Sequence, residues 1–347
     1  MRLLLSFLLF LLWLAPAPAM ADGAADLYVG EATVENKGPQ ERARALPLAL
    51  EQVLGKLSGL RQFDEYPMLQ SVLDEAGSAV LSYYYRNAER VLADGSTLEE
   101  LRLVARFSEE KVNEFARFLQ LPVWQDERPA LQLWLVIDDG IGRRVMPLEF
   151  AYVRDGIQDI ADARGLPLEW PEPDEEGNYP VDLQLLWGGY TEDLAPADGS
   201  GVMIAAARRE GLEWGVRVNL AYGGQNWVWR MNELDLQAAL DESMRQAIDR
   251  IAAANTIAAS DLGTWTEDLT VGGIANQEGY VRVLGYLQGL GVVNRVTVLS
   301  ARPSRVTFRL TLGALPRYLD DAIAAGTVLV PSEDGGYTMA PADDGGL

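Results

Sequence analysis

The sequence predicts an α+β protein of three small α/β units. Their sheets should be short and mostly antiparallel, with helices on one face. Three observations carry this. Trp214, Val216, Val218, Leu220 and Tyr222 alternate with Gly215, Arg217, Asn219 and Ala221, the period of a strand buried on one side. Leu46, Leu50, Val53, Leu54 and Leu57 recur at helical spacing, with Glu41, Arg42, Glu51 and Lys56 kept off their face. Strand pairs are joined by turn residues at Ala93–Ser96, Gly223-Gly224 and Arg302–Ser304.

The chain has 347 residues and begins with Met1-Arg2, an apolar run from Leu3 to Leu14, and Ala19-Met20-Ala21. That is the pattern of a secretory signal peptide over 1–21, cleaved between Ala21 and Asp22. The run is too short for an ordinary membrane span. The remainder is expected to be soluble and periplasmic, without stable membrane insertion.

The N-terminal domain, 22–124, reads βααββα. Its strands are at 26–34, 81–92 and 98–107, and its helices at 40–58, 66–80 and 109–119, the last capped by Ser108. The central α/β domain, 129–258, has strands at 131–137 and about 143–149, and a helix over 150–164 ended by Gly165. An acidic, Pro-rich loop at 171–177 follows. Strands at 181–187, 214–222 and 226–231 come next, then a helix over 235–253. The C-terminal domain, 265–341, reads βαββαβ: strands at 268–272, 292–300, 305–312 and 327–331, with helices over 276–289 and 315–325. That order is the ferredoxin-like arrangement. Residues 342–347 read as a disordered tail.

The signal peptide, the Glu41–Ala45 helix running into "LEQVLGKLSG", the "WLVIDDGIGRR" hairpin and "VTVLSARPSRVTFRLTL" together resemble a family of gammaproteobacterial envelope proteins, the domain of unknown function 2066 (DUF2066). The resemblance implies a periplasmic location and supplies no activity and no functional residue.

Composition excludes much chemistry. With no Cys and no His, the chain has no disulfide, thiol nucleophile, ordinary zinc or copper site, or His-based triad. Its 29 basic and 51 acidic residues give a formal net charge of −22, which repels nucleic acid and anionic lipid. No cofactor or metal is expected.

Four patterns compete for a functional reading. Asp138-Asp139-Gly140-Ile141-Gly142 matches the D-x-G-x-G with which histidine kinases and gyrase-type ATPases hold adenine, and Glu109 with Asn113 mimics their E-x-x-x-N box. The expected glycine-rich lid is missing and the periplasm lacks ATP, so a hairpin turn is favoured. Ser108–Lys111 matches the S-x-x-K of penicillin-binding proteins, yet no later Lys can supply K-T-G, and Ser108 suits a helix N-cap. Asp138/Asp139, Asp155/Asp159 and Asp174/Glu175/Glu176 offer paired carboxylates for acid-catalysed hydrolysis, although an acidic chain makes such pairs by chance. Trp187, Trp214, Trp227 and Trp229 form either a ligand-stacking surface or a sheet face buried under the central domain's helices. The expected function is a non-enzymatic envelope interaction or scaffolding protein, with other envelope proteins as partners. The alternative is a glycan or small-ligand binding module, and a hydrolase ranks below both.

Overall fold

The computed structural model describes residues 26–341 apart from 126–127, 195, 197–199 and 333–335. The cleavage point at Ala21-Asp22 and the tail 342–347 lie outside the described residues. The architecture is α+β and its sheets are mostly antiparallel, as the sequence predicts.

The first sheet is built by β1 (Val29–Val34), β2 (Val80–Val91) and β3 (Thr97–Phe107) in the order β1-β3-β2, all antiparallel. Between β1 and β2 run α1 (Pro39–Ser58), α2 (Leu69–Asp74) and α3 (Ala76–Ala79). The helix predicted over 66–80 is thus two short helices, separated at Glu75. Pro39 opens α1, where its missing N–H costs nothing, and Gly59 closes it with φ 70°. Gly30 sets how closely α1 lies on β1: a Cβ there would sit 2.0 Å from the Ala49 carbonyl oxygen. After β3, α4 (Glu109–Leu119) closes the core with Val112 and Phe115, and the chain leaves through β4 (Val123–Trp124).

The second sheet uses β5 (Leu131–Asp138), β6 (Arg143–Val145), β7 (Leu168–Glu169), β8 (Gly201–Glu210), β9 (Glu213–Tyr222) and β10 (Gln225–Glu233). Its path is β10-β9-β8-β5-β6, with β7 also beside β5. Helices α5 (Tyr152–Arg164) and α7 (Leu236–Asn255) pack on one face, around Leu133, Leu135, Met203, Val216 and Val218. Helix α6 (Leu183–Gly188) packs on the other, where Trp134, Val136, Val202 and Ile204 meet Leu186 and Trp187.

Three sequence expectations are corrected here. Residues 181–187 are not a strand: the Asp182 carboxylate accepts the Gln184 N–H at 2.7 Å and starts α6. The strand at 143–149 ends at Val145, because Met146 takes φ 43° and a short 3-10 turn follows. Strand β8, unanticipated, is central and parallel to β5. Buried on both faces, β5 and β8 need cover on each side, so helices do not lie on one face only.

β11 (Thr256–Ile257) pairs with β4, and the third sheet follows. It comprises β12 (Leu262–Ile274), β13 (Val293–Arg302), β14 (Ser304–Ala314), β15 (Leu329–Pro331) and β16 (Tyr337–Met339), with α8 (Gln277–Gly289) and α9 (Arg317–Ala325) between them. The order β13-β14-β12-β16-β15 begins as the ferredoxin-like arrangement predicts. The far edge departs from it. β15 does not reach β12; the chain turns at Gly336 and inserts β16, parallel to β12, between them. Among the described residues no helix is long and apolar enough to cross a membrane.

Candidate interaction surface

The two edges of the first sheet are treated differently. Side chains from α1 close the outer edge of β1. Gln52 accepts the Glu31 N–H at 2.6 Å. Lys56 donates to the Val29 carbonyl at 2.9 Å and Arg44 to that of Thr33 at 3.0 Å. Just past the strand, Glu41 accepts the Glu35 N–H at 3.2 Å. The long outer edge of β2 has no such cover. Among the described residues no strand pairs with it and no side chain bonds to its backbone. The register, with the Leu92 N–H donated to Ser96, turns the even-numbered residues of β2 toward β3. The backbone groups of Tyr83, Tyr85, Asn87 and Glu89 therefore face outward. Its side chains are open too: Leu81 is 67% exposed and Tyr84 59%. Folded proteins usually blunt edges of this kind.

At the far end of β2 a groove of about 530 Å³ opens between the β2–β3 turn and the start of α5. Val91, Leu92, Leu148, Tyr152 and Trp170 supply its apolar lining, and Leu148 is 89% exposed. Trp170 is held in place: its indole N–H donates to Gln158 at 2.9 Å and the Arg154 guanidinium lies 4.8 Å from its ring centre.

Behind β1 a smaller polar cavity of about 270 Å³ contains Glu31, Lys56, Arg86, Arg102, Asp159 and Asp162. Burial pushes the Lys56 ammonium below, and the Asp162 carboxyl above, its ordinary range. The rest is an ion-pair network joining the first sheet to α5. Asp159 accepts from Arg102 at 2.8 Å and Arg90 at 2.9 Å, and Arg86 holds Glu31 at 2.6 Å. Burial alone would raise the Asp159 carboxyl, but the two guanidinium groups outweigh it and hold it below the usual range. Its contribution to stability is complete above the unfolded value of about 4 and is lost as pH falls through the lower folded value. Asp159→Asn is expected to flatten the acid limb of a stability–pH curve. It should cost about 1–2 kcal/mol at neutral pH, allowing for the pair's partial exposure. Urea melts from pH 3 to 8 would measure both.

The sequence candidates fall elsewhere, and the four tryptophans do not share one surface. Trp214, Trp227 and Trp229 sit on the face covered by α7, with Arg250 4.2 Å from the centre of the Trp229 ring. Trp187 is across the sheet on α6, under Arg143. Trp187 parts from the others because its segment, expected as a strand over 181–187, is helical.

Asp138–Gly142 is the turn of a β5–β6 hairpin, with Gly140 at φ 99° and Gly142 at φ 143°. Asp139 accepts the Ile141 N–H at 3.2 Å and pairs with Arg144 at 3.0 Å. Those bonds hold its carboxyl below the usual range, the reverse of what a general acid needs. Ser108 caps α4 by accepting the Lys111 N–H, and the Glu114 carboxylate raises the Lys111 ammonium. Asn113 is engaged with the Tyr28 hydroxyl at 3.1 Å. The open edge of β2 and the groove carry no motif. Their one sequence signal is the Tyr83-Tyr84-Tyr85 run, which lacks the polar alternation of a half-buried strand.

Comparison with known proteins corrects the resemblance to DUF2066. A different profile, Domain of unknown function (DUF8605), matches residues 21–125, and DUF2066 does not match. The shared patterns were core and turn residues, which unrelated α/β folds also need. The match ends just past β4, so it spans the first sheet and its helices. No curated protein matches the chain. A solved structure described as "Crystal structure of uncharacterized protein" aligns with 37% of this chain and 96% of its own, at 9% identity and a TM-score of 0.14. Likeness at that level carries no argument.

Proposed function

We propose that this is an exported, non-enzymatic docking or scaffolding protein of the bacterial cell envelope, which binds other envelope proteins by strand addition. One observation supports this above the rest: in a single sheet, α1 closes the backbone edge of β1 while that of β2 is left open. Strand addition needs free N–H and C=O groups in extended register, which the outer edge of β2 supplies. The export half of the reading rests on residues 1–21. Glycan stacking has less support, because Trp187 lies across the sheet from the other three tryptophans. Acid-catalysed hydrolysis has less support too, because the Ile141 N–H with Arg144 at Asp139, and Arg102 with Arg90 at Asp159, favour the ionised carboxylates.

Site-specific photo-cross-linking in growing cells tests the reading. A photoreactive residue at Asn87, on the open edge, is expected to give discrete adducts with envelope proteins. The same residue at Thr33, on the closed edge, is expected to give none. No adduct at Asn87, or equal adducts at both positions, would overturn it.

A further inference from the structure

We infer that the β2 edge and the groove at its end form one continuous site for an extended, basic segment of a partner protein. A bulky apolar side chain of that segment is seated among Leu92, Leu148, Tyr152 and Trp170. The inference rests on the docking reading above and adds the partner's chemistry.

Shape argues for the extended form. From Tyr83 to Glu89 the outward-facing residues span about 20 Å at the usual strand rise, room for six or seven residues of an added strand. Val91 and Leu92 end that run and also line the groove, so a segment paired along β2 leads into it. The groove's size and its exposed leucines fit an aliphatic or aromatic side chain, whose burial would remove an apolar patch from water.

Charge argues for a basic segment. Glu89 and Glu99 stand directly opposite each other across β2 and β3. Like charges so placed repel. Neither has a cationic partner among the described residues, and the same holds for Asp155 at the groove. The nearby cations are taken: Arg86 by Glu31, Arg90 and Arg102 by Asp159, Arg144 by Asp139 and Glu149, and Arg154 by the Trp170 ring. A lysine or arginine arriving beside Glu89 would relieve the repulsion. The net charge of −22 adds long-range attraction for such a segment.

Selection from a phage-displayed library of random twelve-residue segments on the full exported chain tests this. The recovered peptides would then be titrated against three variants. Asn87→Pro removes an outward N–H that the β2–β3 ladder does not use. Glu89→Lys reverses the charge, and Leu148→Asp spoils the groove. The peptides are expected to carry Lys or Arg beside alternating apolar residues, to weaken in high salt, and to bind each variant at least about tenfold less tightly, the loss of one good charged or apolar contact. Should Asn87→Pro unfold, N-methylation of the peptide backbone tests pairing on the unmodified protein and should weaken binding equally. Peptides that are neutral or acidic, or that ignore Glu89→Lys and Leu148→Asp, overturn the inference and leave docking at an edge standing. Recovery of no peptide overturns both.

Discussion

Replacing Gly30 by valine is expected to prevent the native packing of the first sheet. Overpacked side chains usually find room by changing rotamer or shifting a neighbouring side chain. Here the first obstacle is backbone: the Ala49 carbonyl oxygen would lie 2.0 Å from the new Cβ, its carbon 2.8 Å, and a Val53 methyl 3.1 Å away. Relief requires α1 to move off β1. That movement strips Gln52, Lys56 and Arg44 from the strand edge they bond and opens the core around Leu50, Val53 and Leu54. The loss should reach about 3 kcal/mol or more, the upper end for an overpacked core. Gly30→Ala should act in the same direction, since the clash begins at Cβ. Gly285 on α8 is the control. A Cβ there meets nothing within 4 Å, so Gly285→Ala should gain about 0.5–1 kcal/mol from reduced chain entropy. Urea midpoints for the three variants measure these effects, and a Gly30→Val midpoint within 0.3 M of the parent would refute the close approach.

The second large effect is expected at Trp124. This residue is 1% exposed on a two-residue strand that pairs with β11 just after α7. Its ring packs in the core of the second sheet and supports the Arg128 guanidinium 3.8 Å from its centre. Arg128 in turn donates to the Lys56 carbonyl at 2.6 Å and the Gly165 carbonyl at 2.8 Å. A Cβ on Gly59 would lie 3.3 Å from this ring and 2.7 Å from Ala252, which shows how closely the ends of α1 and α7 meet around it. Trp124→Ala should cost about 3–5 kcal/mol, the range for emptying a buried aromatic site. It should also loosen the first sheet from the second, because α1, α5 and α7 reach each other here. Scanning calorimetry is expected to show a lowered and broadened transition. An unchanged melting profile would mean that the ring bears little of the junction.

Some of the fold was legible because the pattern was local. Ser108, Gly59 and Gly165 mark helix ends through their own backbone needs, and the Val216–Tyr222 alternation shows a strand with one wet face. Strand β8 escaped because Val202, Met203, Ile204 and the three alanines after them are apolar without period, as a strand buried on both faces must be. Helix α6 misled through Val181, Leu183 and Leu185, whose alternation imitates a strand until Asp182 is seen capping. The open edge of β2 left only the Tyr83–Tyr85 run as a trace in the sequence. Its existence depends on β3 lying between β1 and β2, a non-local fact. The Glu89–Glu99 repulsion was hidden for the same reason, since it depends on register.

Closure of β1 by Gln52, Lys56 and Arg44 sets the valence of the first sheet. Growth of a fibre through a sheet needs subunits that can be joined on two sides. With one side blocked, this sheet has a valence of one, so two copies meeting through it would form a closed pair and go no further. A chain carrying so long an exposed strand can therefore stay at high concentration without templating a polymer through that sheet.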